Sequence, residues 1–525
     1  MTSRRAALSG WTISTSSKST EGRMALATSK ELVESSLVVT AREPRMHRAH
    51  DAAVPVARVS SIWEKAIVVV LLVAVVGTAL ACGAVEPWSV ALFELMVVLL
   101  VVLWAGQALS GGRLVVSVPA AAVPIGLLVL LGVVQSLAFT GSAGKRSSLS
   151  LDVEATRSAV LAILFLLICF LASATFLAGR KRIRIIVRCL VIYGLAMAVF
   201  ALVQHLSQGG RIYWLRPQSE GVSWFGPFVN HSHYAGYIAL LIPLPIALLT
   251  NKAVRAEERF LFGFAAGIMG LSLVVSLSRG GMIAMGSELL FLVVAGSGSV
   301  RRLIAGRDPQ HAERSSNGSR LKSLAALAVI VISIGAGLLW LGPEPLANRI
   351  ARGNGTASGH SESFHESRGW IWRDSIRVFE AHPLIGAGMG AFETAFPAYS
   401  KGSGSLLVSQ SHNDYLQILA DCGILGGILA VWFIVGIGRV IIRGLRSRDP
   451  FPRSLSLGCG AAIFGMLVHS VFDFNLQVPS TALLFLIICA IAHIAGGRRH
   501  GNRRGEAVGA NVEAASAGSP VFGGN

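Results

Sequence analysis

Arg279, Arg368 and His412 are the residues of this 525-residue chain whose types and surroundings most suggest chemistry. Arg279 stands at the end of a long apolar stretch, where a guanidinium costs about 2–3 kcal/mol unless something requires it. Arg368 and His412 belong to a long polar segment that the charge pattern places on the same side of a membrane as Arg279. Two arginines and a histidine on one face indicate an anionic ligand and a proton transfer.

The first arginine lies in the tetrapeptide Ser278-Arg279-Gly280-Gly281, between two apolar stretches. The glycines allow a tight turn and let a ligand approach backbone N–H groups closely. The alternative is that Arg279 is a helix-end residue whose charged head reaches out of the hydrocarbon.

The second arginine opens a predicted amphipathic helix. Trp372, Ile376 and Phe379 recur at i, i+4 and i+7, which predicts one apolar stripe, and the helix should end at His382-Pro383. We expect this helix to lie on the outer membrane face. Arg368 beside tryptophans is also typical of an interfacial anchor.

The histidine follows Ser411, and Asp414 comes three residues after that serine. This spacing predicts a helix N-cap at Ser411, with His412 in the first turn. The positive helix end would disfavour imidazolium and leave the ring able to accept a proton. A purely structural histidine near a cap is the alternative.

The composition indicates an integral membrane protein. Hydrophobic residues make up 53% of the chain and charged residues only 14%, with a mean hydropathy of +0.62. Long apolar runs without strand-like alternation predict helices rather than a barrel. The fold class is therefore all-α, with about twelve transmembrane helices and a large periplasmic loop that contains short amphipathic helices. The predicted spans are 63–84, 88–109, 116–139, 157–178, 184–205, 233–250, 259–277, 281–298, 323–341, 423–442, 454–472 and 480–497.

The distribution of charge predicts the orientation. The net charge of +18 falls mostly in alternate short loops, which favours a topological role over nucleic-acid binding. Both termini are then cytoplasmic, with tails at 1–60 and 501–525 predicted to be disordered, and residues 61–500 form the membrane domain. The segment 343–422 is the periplasmic loop. The six cysteines lie in or beside apolar spans without metal-binding spacing, so they should be small core residues.

Four motifs between about residues 190 and 480 resemble the O-antigen ligase and O-antigen polymerase family of bacterial membrane glycosyltransferases. They are Phe225 to Gly236, Ser278 to Gly281, Arg368 to Trp372 followed by His382 to Phe392, and Ser411 to Leu416 leading to Gly423. Asp473-Phe474-Asn475 is also similar to the family. The chain departs from it at His231 and His233, where the family usually has a second asparagine.

The resemblance implies transfer of a glycan from undecaprenyl pyrophosphate at the periplasmic face of the bacterial inner membrane. The family's catalytic arginines and histidine map to Arg279, Arg368 and His412. The acceptor would be lipid A–core in a ligase or another lipid-linked repeat in a polymerase. The reaction should be inverting, without a metal or other cofactor, and nucleic acid is not an expected partner. Predicted substrate-binding residues are Arg216, Asn230, His233, Trp372, Asn413 and Asp414.

A glycan transporter or flippase is the alternative from a different class, because its hydropathy would be similar. Such carriers place charges within spans and often show two matching halves. The predicted spans are almost free of charge and show no half-repeat, which favours the enzyme.

Overall fold

The computed structural model describes residues 11–14, 36–41, 53–140, 146–207, 211–217, 223–251, 253–297, 364–400 and 407–497. In this part of the chain most residues are helical. The helices are α1 (Ala53–Leu80), α2 (Pro87–Gly111), α3 (Ala122–Gln135), α4 (Val153–Phe176), α5 (Arg180–Leu206), α6 (His231–Ala239), α7 (Pro243–Thr250), α8 (Arg259–Val275), α9 (Arg279–Gly296), α10 (Phe364–Ala381), α11 (Phe392–Tyr399), α12 (Asp414–Leu445), α13 (Pro450–His469) and α14 (Pro479–Gly497).

Ten helical segments of the described chain are long and apolar enough to cross a membrane. They correspond to ten of the twelve predicted spans, with α6 and α7 together forming one of them as His231–Thr250. The membrane-protein class and its helical character are thereby confirmed. The predicted span 323–341 lies outside the described residues.

The predicted span 116–139 is wrong in its extent. Its helix, α3, covers only the 14 residues Ala122–Gln135, about 21 Å at the usual rise and short of the roughly 30 Å of hydrocarbon. Pro119 interrupts the apolar run before the helix, because a proline disfavours helical backbone at the preceding residue. Hydropathy alone did not reveal this break.

Short strands lie at both ends of the membrane helices. Strand β3 (Arg113–Ser117) pairs with β2 (Ser36–Ala41), which in turn pairs with β1 (Trp11–Ser14). Strands β4 (Ala138–Thr140) and β5 (Arg146–Ser148) form one hairpin, and β6 (Arg211–Ile212) and β7 (Arg216–Pro217) another. The sequence predicts disorder over 1–60, but the structure has β1, β2 and the start of α1 in this range. The predicted domain boundaries stay predictions.

The cysteines mostly behave as predicted. Cys82, Cys169, Cys422, Cys459 and Cys489 are buried free thiols, as expected of small core residues. Among the described cysteines, the one exposed thiol is that of Cys189 in α5.

The helix predicted to begin near Arg368 exists as α10, and it ends at Ala381, directly before His382-Pro383. The face that packs inside the protein is not the predicted apolar stripe, whose contact with the membrane stays a prediction. Ile371 and Val378 are buried, whereas Ile376 is 42% exposed. The buried face packs on α11, where Phe392 and Phe396 belong to the same small core. Tertiary packing on one side of the helix thus selects a face that periodicity alone did not identify.

The glycine-rich turn at residues 386–390 is a close-packing element. Gly386 and Gly388 have positive φ angles of 77° and 122°. A Cβ on Gly386 would lie 2.2 Å from the carbonyl carbon of Asp421, and one on Gly388 would lie 2.1 Å from the hydroxyl of Ser150. The backbone N–H of Ala387 donates to the carbonyl of Ala420. Only glycine permits this approach, which fastens the segment after α10 to α12.

Chain direction brings seven helix ends to one place. Helices α5, α8 and α13 end where α6, α9, α12 and α14 begin, and we call this the site end. The helix pair α9 and α13 has an extensive interface, and both pack on α6. Residues far apart in sequence therefore meet at the site end.

Candidate functional site

The start of α9 is built by Ser278 and two glycines. The Ser278 hydroxyl caps the helix by accepting from the backbone N–H of Gly281 at 3.1 Å, and it lies 3.3 Å from the hydroxyl of Ser232 at the start of α6. A Cβ on Gly280 would lie 2.9 Å from the His469 ring, and one on Gly281 would lie 2.6 Å from the Ala235 side chain. The glycines thus allow α9 to approach α13 and α6.

Arg279 is the first residue of α9, and its side chain is exposed. It follows the cap at Ser278 and precedes Gly280, so its backbone lies one residue from the contact with His469. The sequence predicts that the glycines let a ligand approach the backbone. On the side where a Cβ would lie, however, neighbouring helices fill the space, so a ligand cannot approach from there. Arg279 therefore lies at the site end, at the start of α9.

His412 lies outside the helix that it was predicted to begin. The N-cap of α12 is Asn413, whose side-chain oxygen accepts from the backbone N–H groups of Tyr415 and Leu416 at 2.9 and 3.1 Å. The Ser411 hydroxyl instead donates to the carbonyl of Asn413. His412 has a φ of 52°, a left-handed conformation that is uncommon outside glycine. The prediction of a Ser411 cap with His412 in the first turn is therefore wrong, because asparagine two residues later competes for the same N–H groups.

The start of α12 is tied to the segment after α13. The Asp414 carboxylate accepts from the Ser470 hydroxyl at 2.7 Å, and the Asp414 backbone N–H donates to the Ser470 carbonyl at 2.9 Å. The Asn413 amide donates to the carbonyl of Val471 at 3.0 Å. These bonds hold residues 411–414 against residues 470–474, so His412 and Asp473 become neighbours.

Several cationic and imidazole side chains surround Asp473. Its carboxylate is 2% exposed and lies 3.5 Å from Nδ1 of His412 and 4.0 Å from Nε2 of His233. Arg368 donates to the carbonyl of the preceding residue, Phe472. Residues from α6, α10, the segment before α12 and the segment after α13 therefore converge on one buried carboxylate.

The charges in this cluster act on one another. Burial raises the pKa of Asp473, but the contact with His412 and the charges of His233, Arg368 and His469 outweigh it and hold that pKa well below its ordinary value. Burial lowers the pKa of Arg368, while the Asp473 carboxylate opposes that shift. Asp473 is therefore an ionised carboxylate at neutral pH.

Phe474 completes the wall of the cluster. Its ring packs edge-on against both imidazoles, with centroids 4.8 Å from His233 and 4.9 Å from His412. The aromatic ring fixes the two imidazole planes beside the carboxylate. His412 is still 31% exposed in its side chain, compared with 7% for His233. His412 is accordingly the imidazole that a substrate can reach.

The other residues predicted to bind substrate are distributed differently. Asn230 caps α6 by accepting from the Ser232 N–H. Asn413 caps α12, and the Asp414 carboxylate accepts from the Ser470 hydroxyl. Trp372 lies half-buried in α10, and Arg216 lies in the short strand β7. Of this group, His233 lies beside Asp473, at 4.0 Å. The binding roles of all six stay predictions.

Two residues of the cluster were missing from the sequence-based site. Asp473 had a usable signal, because Asp473-Phe474-Asn475 resembles the family. His469 ends α13, is 1% exposed and contacts Gly280. The sequence signal for His469 was its position within the predicted span 454–472. An ionisable side chain inside a membrane span indicates a functional residue. Among the described residues no group of three or more His, Cys, Asp or Glu has a metal-binding arrangement; metal independence stays a prediction.

The arrangement is suited to proton transfer beside an anion. A buried carboxylate that faces Nδ1 of an imidazole fixes the ring orientation and stabilises the imidazolium that forms when the other nitrogen accepts a proton. Arg368 and Arg279 supply positive charge at this end of the bundle. Such an arrangement could bind an anion and accept a proton beside it.

Comparison with known proteins agrees with the motifs. A search of curated proteins finds no match to this chain. The family model described as O-antigen ligase matches residues 264–431. That range contains Arg279, Arg368 and His412, whereas His233, His469 and Asp473 lie outside it. The resemblance found in the sequence is thereby confirmed over residues 264–431, where the chain is similar to the O-antigen ligase family.

Proposed function

We propose that this protein is a glycosyltransferase that moves an oligo- or polysaccharide from undecaprenyl pyrophosphate to an acceptor hydroxyl. The observation that carries the proposal is the meeting of Arg368 and His412 at Asp473, at the end of the bundle where Arg279 also begins its helix. The O-antigen ligase match over 264–431 supports the same reaction class.

His412 acts as the general base. Its Nδ1 faces Asp473 at 3.5 Å, so Nε2 is the nitrogen that takes the proton from the acceptor hydroxyl. The acceptor oxygen forms a bond to the anomeric carbon as the bond from that carbon to the diphosphate oxygen breaks. A single displacement of this kind inverts the anomeric configuration. Asp473 stabilises the imidazolium without itself being protonated.

The arginines receive the leaving group. The diphosphate gains negative charge as the glycosidic bond breaks, and a guanidinium can hold two of its oxygens at once. Arg368 is held by the Phe472 carbonyl beside Asp473, while Arg279 is exposed at the start of α9. No step in this scheme needs a metal ion or other cofactor.

The setting of the reaction is also part of the proposal. The positive-inside pattern supports cytoplasmic termini and a site end on the opposite face, which in a bacterium would be the periplasmic face of the inner membrane. The donor's polyprenyl chain and the lipid A–core of a ligase acceptor are both anchored in that membrane. Arg216, Asn230, His233, Trp372, Asn413 and Asp414 would contribute to binding.

The test is transfer by the purified protein. Wild type in lipid nanodiscs should join glycan covalently to an acceptor when given the lipid-linked donor. Arg279→Ala, Arg368→Ala and His412→Ala should each abolish transfer at unchanged protein level. Arg373→Ala is the matched control, because Arg373 lies in α10 near Arg368 but is 61% exposed and pairs with Asp374. If all three site variants keep wild-type transfer, the catalytic assignment is wrong.

Gene deletion separates ligase from polymerase. A ligase mutant should lose polymer from lipid A–core and accumulate long lipid-linked chains, whereas a polymerase mutant should accumulate single repeats. Movement of lipid-linked glycan across the bilayer without covalent transfer would support the transporter alternative instead.

A further inference from the structure

A small cationic pocket lies at the end of the helices opposite the candidate site. It is bounded by the first turns of α5, the connection from α7 to α8 and the start of α13. Three arginines line it, Arg184 and Arg188 from α5 and Arg255 from the connection. Glu258 is the one carboxylate among its lining residues, so the positive charges exceed the negative charge by two. The pocket is therefore suited to an anion.

The partners of these arginines leave positive charge for a ligand. Arg188 Nη2 lies 2.6 Å from the Glu258 carboxylate, which neutralises that arginine. The Arg184 guanidinium instead lies over the ring of Phe451, 4.8 Å from its centroid. Stacking on a ring face leaves the N–H groups at the guanidinium edge able to donate to an anion. Arg255 is exposed and adds a second cation whose charge the pocket's carboxylate does not balance.

The size and walls of the pocket narrow the choice of ligand. Its volume is about 80 Å³, above the roughly 10–15 Å³ that one water molecule needs. This space can hold a phosphate, whose oxygens a guanidinium grips in pairs. Apolar Val187, Leu248 and Phe262 also line the pocket. The ligand should therefore join its phosphate to apolar groups.

We propose that this pocket binds the phosphate of an anionic phospholipid from the adjacent membrane leaflet. Ile185 and Ile192 of α5 are 48% and 52% exposed, and Cys189 between them is exposed as well. Their spacing places them on one face of the helix, next to the face that carries Arg184 and Arg188. An acyl chain can lie along this apolar stripe while its phosphate lies in the pocket. Basic pockets between membrane helices bind the head groups of anionic lipids in this way.

The pocket and the candidate site lie at opposite ends of α5. This helix has 27 residues, a length of about 40 Å. The inference goes beyond the proposed function, because a lipid bound here takes no part in glycan transfer. Its binding would hold α5, the connection from α7 to α8 and the start of α13 together. A ligand that binds only the folded state raises the unfolding temperature.

Four variants separate this pocket from the general positive charge of that end. Arg184→Gln and Arg255→Gln each remove one lining cation, and Arg255 is exposed, so its replacement should leave the packing intact. Arg180→Gln is the matched control, because Arg180 lies on the same helix, is 56% exposed and does not line the pocket. Glu258→Gln removes the carboxylate that competes with phosphate for Arg188. A variant that merely weakened the fold would not bind lipid more tightly.

The experiment is titration of the purified full chain in neutral detergent with a short-chain phosphatidylglycerol, followed by native mass spectrometry and thermal unfolding. One bound phosphatidylglycerol should raise the unfolding temperature of wild type and of Arg180→Gln equally. Loss of one charge-assisted contact should weaken binding about tenfold in Arg184→Gln and in Arg255→Gln. Glu258→Gln should bind about threefold more tightly, since the charge of the pocket rises by one. Phosphatidylcholine of the same chain length, whose cation offsets its phosphate, should bind at least about tenfold more weakly.

Each contrary result would overturn the inference. Inorganic phosphate that stabilises wild type as strongly as phosphatidylglycerol would make a soluble anion the ligand. Equal binding of phosphatidylcholine would remove the role of net charge. Equal weakening in Arg180→Gln would reduce the effect to general surface charge. Undiminished binding in both Arg184→Gln and Arg255→Gln would place the lipid elsewhere.

Discussion

Arginine is used differently at the two ends of the membrane helices. At the end opposite the site, Arg180, Arg182 and Arg188 each pair with one carboxylate at 3.0, 2.8 and 2.6 Å, and every partner is between 24% and 56% exposed. At the site end Arg368 and the imidazoles surround Asp473, which is 2% exposed. Exposed pairs are screened by water and contribute little, whereas a buried charge depends on its partners.

This contrast distinguishes exposed ion pairs at one end of the helices from the buried charge of the candidate site at the other. At the opposite end each of these arginines is satisfied by a single carboxylate partner. The carboxylate at the site end needs several groups that come from different helices. Loss of any one leaves the others with a changed electrostatic environment, so substitutions there should have large and mutually dependent effects.

Asp473→Asn should have the largest effect on activity. Replacement of the carboxylate removes the group that orients His412 and stabilises its imidazolium, and a comparable change in a hydrolase triad lowers kcat by about 10⁴. We expect a loss of about 10³–10⁴ in kcat with little change in KM, measured by glycan transfer in nanodiscs. Asp449→Asn at the opposite end is the control and should keep wild-type kcat. A wild-type rate for Asp473→Asn would remove the carboxylate from the mechanism.

The same carboxylate should give the protein a defined acid sensitivity. Because the pKa of Asp473 is lowered on folding, its stabilisation is fully present above its ordinary pKa of about 3.9 and is lost as pH falls through its lower value in the folded state. The difference in thermal unfolding temperature between wild type and Asp473→Asn should therefore be constant from pH 7 to about pH 5 and shrink below about pH 4. A difference that vanishes already near pH 6 would assign the effect to another group.

Arg368→Lys should cost less than loss of the carboxylate. Lysine keeps the charge but lacks the planar fork that can donate to the Phe472 carbonyl and to phosphate oxygens together. We expect kcat to fall by about 10²–10³, the scale for loss of one oriented donor. Arg373→Lys on the same helix should retain the wild-type rate. Equal rates for the two variants would show that charge alone is sufficient at position 368.

Gly280→Ala tests how closely the elements of the site are packed. Its new Cβ would lie 2.9 Å from the His469 ring, and overpacking of this kind typically costs about 1–3 kcal/mol. Gly286→Ala in the same helix meets nothing within 4 Å, and alanine's higher helix propensity should make it neutral or up to about 1 kcal/mol stabilising. Thermal unfolding in detergent compares the two. A stable Gly280→Ala would mean that α9 and α13 can separate without cost.

The sequence predicted the helices better than the site. Continuous apolar runs define ten segments that the structure confirms as long enough to span a membrane, because hydrocarbon demands internally bonded backbone. Among the described residues the exception is the helix at Ala122–Gln135, because Pro119 interrupts the apolar run before it. Hydropathy averages over a window and does not detect a single backbone break.

The site depended on contacts that local patterns do not encode. Motifs identified Arg368, His412 and His233, but not that Asp473 lies between them, because the two chain segments are joined only by tertiary hydrogen bonds such as that from Asn413 to Val471. The His412 backbone was also misassigned. Its spacing from Ser411 and Asp414 fits a cap, yet Asn413 takes the cap and leaves His412 in a left-handed conformation that turns it toward the carboxylate.

Arg180→Ala should have the smallest effect and completes the comparison of the two ends. Its pair with Asp449 joins side chains that are 56% and 32% exposed, so its loss should cost less than about 1 kcal/mol and leave transfer unchanged. Asp449 retains its second contact as the cap of α13, accepting from the Phe451 N–H at 3.0 Å. Thermal unfolding at low and at 1 M salt measures the effect, which should disappear at high salt because the Debye length falls to about 3 Å. A larger, salt-independent loss would mean that this end, like the site end, depends on buried charge.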